Sequence, residues 1–72
     1  MFKPNDLAIL RWKSRLWELP TGGSFLIGKT NDIVIIVEAQ STSVLVQVLH
    51  PEYGLKWMTT ICLNLLKRPE DV

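Results

Sequence analysis

An all-β domain, a very small five-stranded barrel, is what this sequence predicts, and three observations carry the prediction. Two strand-like runs, Asp32 to Glu38 and Ser43 to Leu49, follow each other across a short polar reversal. A third run, Leu55 to Thr59, alternates side-chain character after the turn-forming His50-Pro51-Glu52-Tyr53-Gly54. The chain also opens on a turn, Pro4-Asn5-Asp6, that feeds the apolar run Leu7 to Trp12. Successive antiparallel hairpins with short loops make a meander, and a meander of this size must curl up to hide its edges.

The first strand is expected over Leu7 to Trp12, bounded by Pro4 and by the charged residues that follow. Part of Lys13 to Leu19 could read as a short helix of about a turn and a half, but Pro20-Thr21-Gly22-Gly23 stops any regular element. A long first loop is therefore expected there. Phe25-Leu26-Ile27 is a brief strand or loop anchor ending at Gly28, and Lys29-Thr30-Asn31-Asp32 is a turn. Ile33 to Val37 is apolar on both faces and should be a central strand with cover on each side. Ala39 to Thr42 reverses the chain. In the next strand Val44, Val46 and Val48 share one face and are placed in the core, with Ser43 and Gln47 on the other. After the strand Leu55 to Thr59, a single helical turn around Thr60 to Cys62 precedes a closing strand ending at Leu66. Residues 1–66 form the barrel and 67–72 a charged tail; no internal repeat stands out.

Composition narrows the function classes. The chain has 72 residues, 47% hydrophobic and 21% charged, which is one small domain with apolar surface to share. A net charge of +1 supplies no global pull toward nucleic acid or an anionic membrane. One cysteine, Cys62, leaves no internal disulfide, and with the single histidine, His50, cannot furnish four zinc ligands; no metal and no cofactor are expected. Pro4, Asn5 and Asp6 interrupt any signal-peptide core at once, and Ile33 to Val37 is far too short to span a bilayer. The expected location is cytoplasmic.

The opening Phe2-Lys3-Pro4-Asn5-Asp6-Leu7 is similar to the F-K-x-G-D-L-V start of the SH3-like small barrels, including their KOW and Tudor-type branches. The pair Ile33 to Val37 and Val44 to Leu49 matches the central strands of such barrels. Lys56-Trp57 before Leu63-Asn64-Leu65-Leu66 resembles their aromatic and closing strand. The chain looks most like the short SH3-like proteins of tailed bacteriophages, which implies host cytoplasm or virion as its location. Asn5 stands where glycine is usual, and asparagine tolerates the left-handed conformation. Asn31-Asp32 replaces the glycine expected before the central strand, a departure from the KOW pattern. The resemblance implies no catalytic residues and no enzyme activity.

The residues agree on that point. Asp6, Glu18, Asp32, Glu38, Glu52, Glu70 and Asp71 sit at turns, loops and the tail, with no converging acid–base pair. His50, before a proline at a strand end, reads as an ordinary surface histidine, and Cys62 as a small hydrophobe in an apolar run. Gly22-Gly23 lacks the Lys-Ser/Thr of a phosphate loop. Neither catalytic residues nor a small-molecule substrate are expected.

Two constellations remain. In the first, Trp17, Tyr53 and Trp57 form an exposed aromatic groove with Arg15 at its rim, suited to a protein partner that offers a proline-rich segment or a methylated cation. Self-association would instead run through an exposed barrel edge or an apolar face. In the second, Arg11, Trp12, Lys13 and Arg15 alternate cations with tryptophan, the pattern of single-stranded nucleic-acid binders. A structural role competes with both: Trp12 would end a strand in the core, and Trp17 would fold the first loop back over the barrel. The leading expectation is a non-catalytic protein-interaction or assembly module; nucleic-acid binding is the alternative.

Overall fold

The computed structural model describes residues 2–39 and 44–66. Seven strands run through them: β1 (Leu7–Leu10), β2 (Ser14–Leu19), β3 (Gly22–Gly28), β4 (Ile33–Ala39), β5 (Leu45–His50), β6 (Gly54–Thr59) and β7 (Leu63–Leu65). A single 3-10 turn, Thr60–Cys62, separates β6 from β7 where one helical turn was expected. All pairings are antiparallel, in the order β3-β2-β6-β5-β4-β1-β7.

The fold is all-β, but the expected five-stranded barrel is corrected in two respects. The sheet has seven strands among the described residues, and its end strands β3 and β7 do not pair, so it is not closed. The two extra strands come from the region expected to be a long first loop. Ser14 and Leu16 alternate inward and Arg15 outward, so the segment has strand period, and β2 pairs with β3 from Ser14↔Gly28 to Leu19↔Gly22. Pro20-Thr21 is the two-residue loop of this hairpin. Gly22 and Gly23, at φ 114° and 84°, supply the backbone conformations that other residues rarely adopt.

One core holds the sheet together. Alternate residues turn inward from every strand except β3: Ala8, Leu10, Leu16, Val34, Ile36, Val46, Val48, Met58 and Leu63 are all buried. β3 contributes space in place of a side chain. A Cβ on Gly28 would lie 2.5 Å from a methyl of Leu16 and 2.6 Å from one of Leu10.

Four further expectations change. β1 ends at Leu10, and Trp12 lies about half exposed in the bend that follows, not in the core. Trp17 belongs to a strand and does not fold a loop over the body. β4 is central but covered on one face only: Val34 and Ile36 are buried, while Ile33, Ile35 and Val37 are exposed. Val46 and Val48 lie in the core, but Val44 precedes the strand and is exposed. The reversal over 40–42, Ser43 and the tail 67–72 lie outside the described residues.

The structure also exposes a repeat that the sequence reading passes over. Lys3-Pro4-Asn5-Asp6 leads into β1 and Lys29-Thr30-Asn31-Asp32 into β4, the same Lys-x-Asn-Asp before an apolar run. Each turn places its asparagine left-handed, at φ 74° and 75°. The strands they launch pair with each other, Ala8 opposite the equivalent Val34, with Leu7↔Ile35 and Ile9↔Ile33 on either side. The flanking hydrogen bonds are matched as well. Asn5 N donates to Ile36 O (2.7 Å) and Asn31 N to Leu10 O (2.9 Å); Ile36 N donates to Asp6 O and Leu10 N to Asp32 O, both at 2.9 Å. The two units are related by a local pseudo-two-fold axis through the β1–β4 pair.

Candidate functional site

Residues directly opposite each other in an antiparallel pair share a face. Phe25↔Trp17, Trp17↔Trp57 and Trp57↔Gln47 are such pairs, so the outer face carries an aromatic row across β3, β2 and β6, with Gln47 of β5 at its end. Trp17 and Phe25 touch with ring centroids 4.7 Å apart and planes inclined at 57°, a favourable tilted arrangement. The Arg15 guanidinium lies 4.8 Å from the Phe25 centroid and 5.8 Å from that of Trp17, within cation–π range of both. A shallow depression of about 200 Å³ opens beside Trp17 and Trp57, bounded by Leu19, Pro20, Thr21 and Gly22 of the β2–β3 turn and by Leu45.

Of the expected aromatic groove, the structure brings Trp17 and Trp57 together with Arg15 at their edge. Tyr53 is not among the residues that line the depression. Its ring stacks on His50 (4.5 Å, 13°) and its hydroxyl donates to Ile27 O (3.2 Å). Phe25 takes its place in the row. The signal for Phe25 is its register against Trp17, visible only once 14–28 is recognised as a hairpin.

The basic and aromatic segment Arg11 to Trp17 divides in two. Arg11 Nε donates to Asn64 Oδ1 on β7 (2.7 Å), and its guanidinium lies 5.8 Å from the Trp12 ring. Arg15 and Trp17 face β3 instead. The two arginines therefore turn toward opposite end strands of the sheet, and Lys13 is exposed in the bend between them. The four residues do not form one continuous stripe.

His50 is the largest departure from expectation at a polar residue. It is buried, 2% exposed, at the end of β5. Its Nδ1 accepts from Glu52 N (3.1 Å) and Tyr53 N (3.3 Å), so the ring proton sits on Nε2, which donates to Asp32 Oδ2 at 2.7 Å. Burial pushes the Asp32 carboxyl up, but the hydrogen bonds from His50 and from Lys29 N, with the nearby charges, outweigh it and hold the group below its ordinary value of 3.8. Lys56 is also buried. Its stem points to the core side of β6, and its ammonium reaches Tyr53 O (2.9 Å), Leu55 O (3.2 Å) and Glu18 (3.1 Å). These groups tie the β5–β6 turn to the body through satisfied hydrogen bonds, an arrangement that positions a surface.

Cys62 is half-buried against the core, with its sulfur 3.2 Å from the Thr59 hydroxyl. Among the described residues no three of His, Cys, Asp and Glu gather as metal ligands, and no helix is long and apolar enough to cross a membrane. Compared with protein-family models, with curated proteins and with solved structures, the chain finds no match.

Proposed function

We propose that this chain is a non-catalytic protein-interaction or assembly module of SH3-like type, similar to the small proteins of tailed bacteriophages, that docks on a larger assembly or a host factor. The host cytoplasm or the virion is where such a module acts. The observation that carries the reading is the aromatic row Phe25–Trp17–Trp57 on the outer face, with Arg15 over its edge. Large aromatics and arginine dominate binding hot spots because they offer wide, stiff contact area at low entropic cost. Here they stand on hydrogen-bonded strands, so little freedom is left to lose on contact. The antiparallel β4–β5–β6 meander, the 3-10 turn before the last strand and the hairpin occupying the place of the long first loop support the SH3-like reading.

The test is affinity capture with the native chain and with Trp17→Ala and Trp57→Ala. A protein partner retained by the native chain through 1 M salt and lost by both variants is the expected result, because aromatic docking responds little to ionic strength. A chain that captures no protein, yet binds a single-stranded oligonucleotide with affinity falling steeply in salt, would replace this reading with the nucleic-acid one through Arg11, Trp12, Lys13 and Arg15.

A further inference from the structure

We infer that two copies of this chain pair through β3, antiparallel and edge to edge, about a two-fold axis near Phe25 and Leu26. The inference rests on the interaction reading above, taken in its assembly form, and uses the open edge of β3, which shares only Phe25 with the aromatic row. β3 is an end strand whose only pairing is with β2, so one side of its backbone carries no strand partner among the described residues. What satisfies a row of strand N–H and C=O groups is another strand. Gly23 to Ile27 are all exposed in succession, and the Ile27 carbonyl already takes the Tyr53 hydroxyl, which leaves the stretch before it open.

The residues of β3 specify a copy of itself as the occupant. A two-fold axis sets a strand's centre against its own image, so a charge there would face an identical charge. Gly22-Gly23-Ser24-Phe25-Leu26-Ile27-Gly28 has no charge and no proline, and neither of those usual protections against edge pairing is present. Leu26 adds a second argument. It stands opposite the fully buried Leu16, yet is 44% exposed because no strand lies beyond it. A second β3 extends the sheet at that point and covers Leu26 on one face and Phe25 with Ile27 on the other.

The experiment is solution mass by light scattering across concentration, with amide hydrogen exchange on the same samples. The native chain should move from 8.2 kDa to twice that mass as concentration rises. The amides of residues 23–27 should slow as it does. Leu26→Lys and Ser24→Lys, both at exposed positions, should hold the chain at monomer mass with an unchanged far-ultraviolet spectrum. Two variants guard against one failing to fold. A native chain that stays monomeric throughout overturns the inference and leaves docking through Trp17 and Trp57 standing. A dimer that survives both lysines, or that protects other amides, overturns it too. If a dimer through β3 forms while Trp17→Ala and Trp57→Ala leave every protein partner in place, the self-pairing stands and the aromatic docking falls.

Discussion

The two Lys-x-Asn-Asp turns are built alike and used differently. In each, the lysine N–H donates to the aspartate carboxylate, 2.8 Å for Lys3–Asp6 and 2.9 Å for Lys29–Asp32. The aspartate N–H returns to the lysine carbonyl at 3.1 and 3.0 Å. The left-handed asparagine between them makes the chain turn sharply into a strand. Asp6 is then buried, 1% exposed, at the head of β1. Asp32 keeps a quarter of its side chain in solvent and takes a second partner, His50, from the far end of β5. At the second turn the same four-residue device also ties the head of β4 to the end of β5 through His50, and its carboxylate stays partly in solvent where that of Asp6 is buried. What differs is not the turn but what the rest of the fold brings to its carboxylate.

The largest expected effect breaks that difference at its source. His50→Ala removes a buried ring, its stack on Tyr53 and the partner of Asp32, and leaves the Glu52 and Tyr53 amides without an acceptor. We expect a loss of about 3 kcal/mol in denaturant unfolding. A double-mutant cycle with Asp32→Ala should give a coupling of about 1–3 kcal/mol, as neighbours sharing a buried hydrogen bond do. Additivity of the two changes would mean that the tie contributes nothing.

A smaller effect sharpens the likeness. Asn5→Ala and Asn31→Ala each force a Cβ-bearing residue without a compensating polar side chain to hold φ near 75°, at a cost of about 1 kcal/mol. The two costs should agree closely, because the backbones agree. A large cost at one and none at the other would show that the pseudo-symmetry is only geometric. Gly28→Ala tests the packing beside the second turn. Its Cβ must displace the ends of Leu16 and Leu10, so a loss of about 1–3 kcal/mol is expected in the same assay.

The smallest effect concerns acid. Asp32 has a folded-state pKa below its ordinary 3.8, so in acid the unfolded chain takes up this proton first. Its contribution is complete above the ordinary value and is lost as pH falls through the lower, folded one. Asp32→Asn should therefore flatten the part of the stability–pH curve below about pH 4 and leave its shape at higher pH nearly unchanged. An unaltered acid limb in the variant would contradict this assignment.

What was legible in the sequence follows the range of the interactions. Both asparagine turns, the 3-10 turn at Thr60–Cys62 and the alternation of β5 and β6 depend on residues within a few positions, and each was readable as a local pattern. The β2–β3 hairpin was misread because Pro20-Thr21-Gly22-Gly23 punctuates a long loop and a two-residue hairpin equally well. Trp12 was expected in the core because its run of strand formers continues two residues past the point where the backbone turns. His50 reads as a surface residue in the sequence because its partner Asp32 lies 18 residues away, and nothing beside it in the chain announces a buried hydrogen bond. At the candidate site, Trp17, Trp57 and Arg15 were chosen by residue type and come together. Tyr53 was chosen the same way and is engaged by His50, a placement that only the tertiary fold decides.

The most direct test of the contrast between the two turns uses the fact that the chain has a single histidine. Long-range nitrogen–proton NMR correlations of that ring, at mildly alkaline pH, report which nitrogen carries the proton. The Nε2–H tautomer, with a slowly exchanging proton shared toward Asp32, is the predicted result. An Nδ1–H ring, or rapid averaging of the two tautomers, would contradict it and remove the tie between Asp32 and His50.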